Sequence, residues 1–145
     1  MTLENVKNEW KEDTRIDQTK LNDEIVKTPR LHAKYLDYFI IGRAKRSELI
    51  KKINIEKNFK RKYYRGELTK EELLERALPQ WQGLKPSASE LKDLFDQDPD
   101  ICELNQKLDY WNIYVETIEY IMKSIGSRGY DLRALFELRK FESGA

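Results

Sequence analysis

Between residues 43 and 65 the chain carries ten lysines and arginines against two glutamates, Glu48 and Glu56, a local net charge of +8. Phe59, Tyr63 and Tyr64 stand among these cations. Sequence-tolerant binding of a single-stranded nucleic acid needs that combination: cations for the phosphates and ring faces on which bases stack. The candidate contacts are Lys57, Lys60, Arg61, Lys62, Tyr64 and Arg65, with Lys20 and Arg128 as further cations elsewhere. A solvated helix face accounts for the same charges, and the segment alone does not choose between the two. No base-reading motif accompanies the patch, so no sequence specificity is expected.

The rest of the chain offers little for catalysis. Its one histidine, His32, falls near a helix start, and its one cysteine, Cys102, reads as a small apolar residue that rules out an intramolecular disulfide. Asp96, Asp98 and Asp100 resemble part of a calcium loop but lack the glycine and closing glutamate at the required offsets, so no metal site is expected. No phosphate-binding glycine loop is present, and no cofactor is expected. Trp10, Trp81 and Trp111 read as packing residues. The chain is expected not to be an enzyme. No apolar run reaches the length of a membrane span and the N-terminus has no signal-peptide core, which points to a cytoplasmic protein without membrane contact.

Helices must position the patch. With six glycines, four prolines and no sustained strand-period alternation, the chain reads as an all-α helical bundle, a single domain over residues 1–145 with two long helices and several short ones. A first helix starts at Thr2 and puts Leu3, Val6 and Trp10 on one face. Thr28-Pro29 reads as the start of a long helix that runs to Gly66, since threonine caps well and proline fits the first helical position. On it, Leu49, Ile50 and Ile53 share a face that continues through Lys57, Lys60, Arg61 and Tyr64, so the apolar stripe becomes basic and leaves the core. Thr69 with Glu72, and Ser87 with Glu90, fit capping boxes on either side of a loop from Pro79 to Pro86. Asp98-Pro99 opens a second long helix. Its Leu104, Leu108, Trp111, Val115, Ile118, Met122 and Ile125 repeat at heptad spacing, and Gly126 and Gly129 end it. A last helix over about residues 131–143 presents Leu132, Leu135, Phe136 and Leu138, which one bundle does not fully cover and which are therefore expected to bring subunits together.

The ordered set of short motifs resembles the UvsY family, the recombination mediators of large tailed phages. Near the N-terminus it comprises Leu3-Glu4, Lys11, Asp13 and the run from Ile16 to Leu21. In the middle stand Tyr63-Tyr64 with Gly66, Ser89-Glu90-Leu91-Lys92 and Asp98-Pro99-Asp100. Tyr110-Trp111-Asn112-Ile113, Ser127-Arg128-Gly129-Tyr130 and the run from Arg139 to Gly144 follow. Only residues 67–86 depart in length and content. The resemblance implies non-specific binding of single-stranded DNA, a ring-like homo-oligomer of six or seven subunits, and work beside a RecA-like recombinase (UvsX type) and a phage single-strand-binding protein. It implies help in loading that recombinase, in the host cell cytoplasm. The family's Lys-Ala-Arg-Leu stretch reads Asn58-Phe59-Lys60-Arg61 here, so only Lys60 keeps a cation of that motif in place. A helical scaffold without DNA binding, and an inert subunit of a nucleic-acid-processing enzyme, remain as other classes.

Overall fold

The computed structural model describes residues 1–144. Five helices are present among them: α1 (Leu3–Asp13), α2 (Leu21–Tyr64), α3 (Lys70–Glu75), α4 (Ala88–Gln97) and α5 (Pro99–Glu142), with one 3-10 turn at Gln18–Lys20. No strand occurs among the described residues. The all-helical expectation with two long helices holds. The helices form two compact units, one made of residues 1–44 with the chain from Trp111 onward, the other of residues 45–110. Among the described residues no helix is long and apolar enough to cross a membrane.

In the first unit Thr2 caps α1, its hydroxyl accepting from Asn5 N at 3.1 Å. Val6 then points into a core of Leu31 and Tyr35 from α2 and Tyr114, Ile118, Ile121 and Ile125 from α5. Each such fully buried apolar side chain contributes about 1.5–3 kcal/mol. Polar ties fix α1 along α2. Asp13 accepts from Lys34 Nζ at 2.6 Å and Tyr35 OH at 2.8 Å, and Tyr38 OH donates to Glu9 at 2.8 Å. Burial alone raises the Asp13 carboxyl, but the hydrogen bonds from Lys34 and Tyr35 outweigh it and hold the group below its ordinary value.

Three expectations about helix limits and faces need correction. First, α2 begins at Leu21, so Pro29 lies inside it rather than at its start. The start signal is Asp17, whose carboxylate accepts from Thr19 N at 3.0 Å at the turn leading into the helix. Thr28 does not cap; its hydroxyl donates back to the Glu24 carbonyl at 3.3 Å. A proline here removes one ladder bond, and the helix is held through it by tertiary contacts, notably Arg128 of α5, which reaches the same Glu24 carbonyl at 3.4 Å.

Second, Gly126 and Gly129 do not end α5, and no separate helix begins near residue 131. Each glycine costs about 1 kcal/mol relative to alanine in a helix interior. Buried Ile125, Arg128 and Leu132 anchor the same stretch and outweigh that cost. Gly66, by contrast, does end α2. At φ 70° it closes a Schellman motif, with Glu67 N donating to Lys62 O at 3.0 Å and Gly66 N to Tyr63 O at 3.1 Å.

Third, the heptad seam of α5 is rotated by about one residue. Tyr114, Ile118, Ile121, Ile125, Arg128 and Leu132 are buried at spacings of four, three, four, three and four. Val115, Ile118 and Ile125 of the expected set are buried as well, while Leu104, Leu108, Trp111 and Met122 are half-buried.

Candidate nucleic-acid interface

The basic half of α2 belongs to the second unit, where local capping sets up the elements that meet it. Thr69 and Glu72 form a complete capping box at α3, the Ser87 hydroxyl accepts from Glu90 N at 3.3 Å to start α4, and Asp98 Oδ1 accepts from Asp100 N at 3.0 Å and Ile101 N at 3.1 Å to start α5. Leu91, Phe95 and Ile101 make the small core, with Tyr64 against it.

On the basic half of α2 the buried positions are Leu49, Ile53, Glu56 and Lys60, spaced four, three and four. The stripe that was expected to turn outward as it became basic therefore stays inward. Lys60 is only 7% exposed, and its ammonium meets Asp98 at 2.9 Å and Asp100 at 3.2 Å. Burial by itself would depress this amine, but the hydrogen bonds to Asp98 and Asp100 prevail and push it above its ordinary value. Its charge is already neutralised within the fold, so Lys60 is not a free phosphate ligand. The sequence could not show this, because the neutralising carboxylates lie some forty residues away.

The aromatic residues are also committed. Tyr64 is half-buried, edge-on to Trp81 at 4.7 Å and to Tyr63 at 5.3 Å. Burial raises its hydroxyl above the ordinary value. Tyr63 OH donates to the Pro79 carbonyl at 2.8 Å. Phe59 lies under the guanidinium of Arg76, 3.7 Å from the ring centroid. Arg76 Nη1 in turn donates to both oxygens of buried Glu56, at 2.8 and 2.9 Å. Trp81 and Arg76, in the stretch that departs from the family in length and content, were missed as partners of α2. A lone arginine just after four acids in 67–75 was the available signal for the second.

What remains for a polyanion is a set of cations on the solvent side. Lys62 and Arg65 are exposed; Lys57 and Arg61 are half-buried, and Arg61 spans the Phe95 ring at 5.8 Å. None of the four has an ion pair among the described residues. Lys57, Arg61 and Arg65 recur every four residues, which sets them along one ridge with about 6 Å between steps. Arg61, Lys62 and Arg65 also sit at the helix C-terminus, where the backbone dipole favours positive charge. Lys45 and Lys52 share Glu48 and are less available.

Two further residues are reassigned. Arg128, a further candidate cation, is 5% exposed and bound to Glu24 and Thr28, so its charge is paired inside the first unit. Leu132, expected at a subunit interface, is 1% exposed within the first unit's own core. Leu135 is half-buried, whereas Phe136 and Leu138 are exposed, as is Phe141, which the sequence reading left out.

Comparison with known proteins gives consistent results. Residues 9–145 match the family described as recombination, repair and ssDNA binding protein UvsY. The recombination protein UvsY of Enterobacteria phage T4 is 28% identical over 146 residues, covering 99% of both chains. Two crystal structures of the bacteriophage T4 recombination mediator protein UvsY share the fold. One, in lattice type II, has a TM-score of 0.85 at 24% identity, covering 99% of this chain and 98% of the other. The other, in lattice type IV, has a TM-score of 0.81 at 24% identity, covering 98% and 99%.

Proposed function

Because this chain belongs to the UvsY family of recombination, repair and single-stranded-DNA-binding proteins, we propose that it is a recombination mediator. It binds single-stranded DNA without sequence preference and helps a RecA-like recombinase of the UvsX type load onto strands covered by a phage single-strand-binding protein, acting in the host cytoplasm and without catalysis of its own. The observation that carries the reading is the family match across residues 9–145. The cations at the end of α2 that the fold leaves without acidic partners support it. Lys57, Arg61, Lys62 and Arg65 supply the phosphate contacts; Lys60 and Tyr64 hold the helix that presents them.

Each phosphate contact on a single strand releases counterion and contributes about 0.7 to the slope of log affinity against log salt. Replacing Lys57, Lys62 and Arg65 together by alanine therefore lowers that slope by roughly 2, for every oligonucleotide sequence alike, and leaves the melting temperature nearly unchanged. A salt titration of fluorescent oligo-dT against wild type and variant measures both. A variant that stays folded and keeps the wild-type slope places the DNA elsewhere.

The same reading includes a ring-like homo-oligomer of six or seven subunits joined near the end of α5. Phe136, Leu138 and Phe141, at 42%, 52% and 81% exposure, are the apolar residues left for such a joint. Replacing all three by serine spares the core and yields a smaller species by sedimentation. Affinity for long single strands falls with it, because joined subunits bind as a multivalent surface. An unchanged mass rejects this joint.

A further inference from the structure

The second unit also holds a groove of about 420 Å³ between the 79–86 loop and α4. Its walls are Trp81, Leu84 and Pro86 from the loop and Leu94 from α4, and its rim carries Glu90 and Asp93. The groove is built in advance. Trp81 Nε1–H donates to the Leu84 carbonyl at 3.3 Å, and the indole lies so close over Gly83 that a Cβ there would meet the ring at 2.6 Å. Leu84 is 93% exposed. Glu90 and Asp93 have no ion pair among the described residues, and with Leu94 they form one face of α4, beside the face that buries Leu91 and Phe95.

We propose that this groove docks a basic segment of a partner protein, one apolar side chain entering between Trp81 and Leu84 while flanking lysines or arginines meet Glu90 and Asp93. The volume is ample for a large apolar side chain. The two unpaired carboxylates select a cationic neighbour and repel a phosphate backbone. The sign of its charge, opposite to that of the basic ridge of α2, suits the groove to protein and the ridge to DNA.

The test uses the full chain and a fluorescein-labelled octapeptide in which Leu-Phe is flanked on each side by three lysines. Anisotropy rises with the chain, and does so less at high salt. Peptides with glutamates for the lysines, or Ser-Ser for Leu-Phe, do not bind. Leu84→Ser, and separately Glu90→Gln with Asp93→Asn, each weaken the lysine peptide about tenfold or more, the loss of one buried side chain or of its charge complement. Both leave oligo-dT affinity unchanged. Four results overturn the proposal: no binding up to millimolar chain, wild-type affinity in both variants, a loss of oligo-dT affinity in the same variants (a base platform), or a smaller mass of the free protein in them (a second copy as occupant).

Discussion

Arg128→Ala lowers the stability of the protein by about 3–5 kcal/mol, the usual cost of leaving one member of a buried ion pair alone. The guanidinium joins three helices in the first unit. Its Nη2 pairs with the Glu24 carboxylate and reaches the Glu24 carbonyl, Nε donates to the Thr28 hydroxyl at 3.3 Å, and Nη1 reaches the Asp13 carbonyl at 3.5 Å. Both charged side chains are nearly out of solvent, at 5% and 11% exposure, so water cannot replace the lost partner. At fixed protein concentration the melting temperature, followed by circular dichroism, falls by roughly 10 °C or more. Arg128→Lys recovers only part of the loss, because an ammonium cannot span Glu24, Thr28 and Asp13 at once. Replacing the pair together, Glu24→Leu with Arg128→Met, restores most of it, since no charge is then stranded. A single alanine variant melting within a few degrees of wild type would sink the assignment.

Lys60→Ala separates a folding role from a DNA role at the centre of the basic segment. Asp98 Oδ1 caps α5 while its other oxygen meets Lys60, so the lysine neutralises a carboxylate that is 5% exposed. Its removal strands that charge and destabilises the second unit by about 3 kcal/mol. Asp98→Ala is at least as damaging, since it removes the cap, about 0.5–2 kcal/mol, and leaves the ammonium buried. The DNA readout runs the other way. Referred to the folded fraction, Lys60→Ala keeps the wild-type salt slope, whereas Lys62→Ala lowers it by about 0.7. If Lys60→Ala melts like wild type and flattens the slope, Lys60 returns to the DNA surface.

These two residues also show where the sequence was legible. Signals acting across three or four positions were readable. Thr69, Ser87 and Asp98 cap the helices they were expected to cap, and Thr2, where the first helix was expected to start, caps it; each contact spans no more than three residues. The seam of α5 was found to within one position because its period is a local property. Breakers were overvalued: Pro29, Gly126 and Gly129 each lie inside a helix that tertiary packing carries past them. Charge was legible as density and not as direction. That residues 43–65 are basic is plain from composition, but whether a given cation points out or in depends on distant partners. Lys60 finds Asp98, Arg128 finds Glu24 across 104 positions, and Arg76 finds Glu56. No periodicity encodes those pairings. Leu132 and Leu138 look alike in sequence, yet one is core and the other is surface.

Gly42 of α2 lies against Tyr114 of α5, where a Cβ would sit 2.6 Å from the tyrosine ring. Two helices patterned by heptads have an intrinsic ambiguity, because sliding one past the other by seven residues again sets apolar against apolar. Here the slip is closed off from both directions. Moved by seven in α2, Tyr114 faces Tyr35 or Leu49 in place of the glycine and has no room. Arg128 faces Leu31 in place of Glu24, or passes the helix start to Asp17, where it loses its enclosed partner. A vacancy for a ring and a socket for a charge, eighteen residues apart on α2, leave the first unit a single axial alignment in which both are filled.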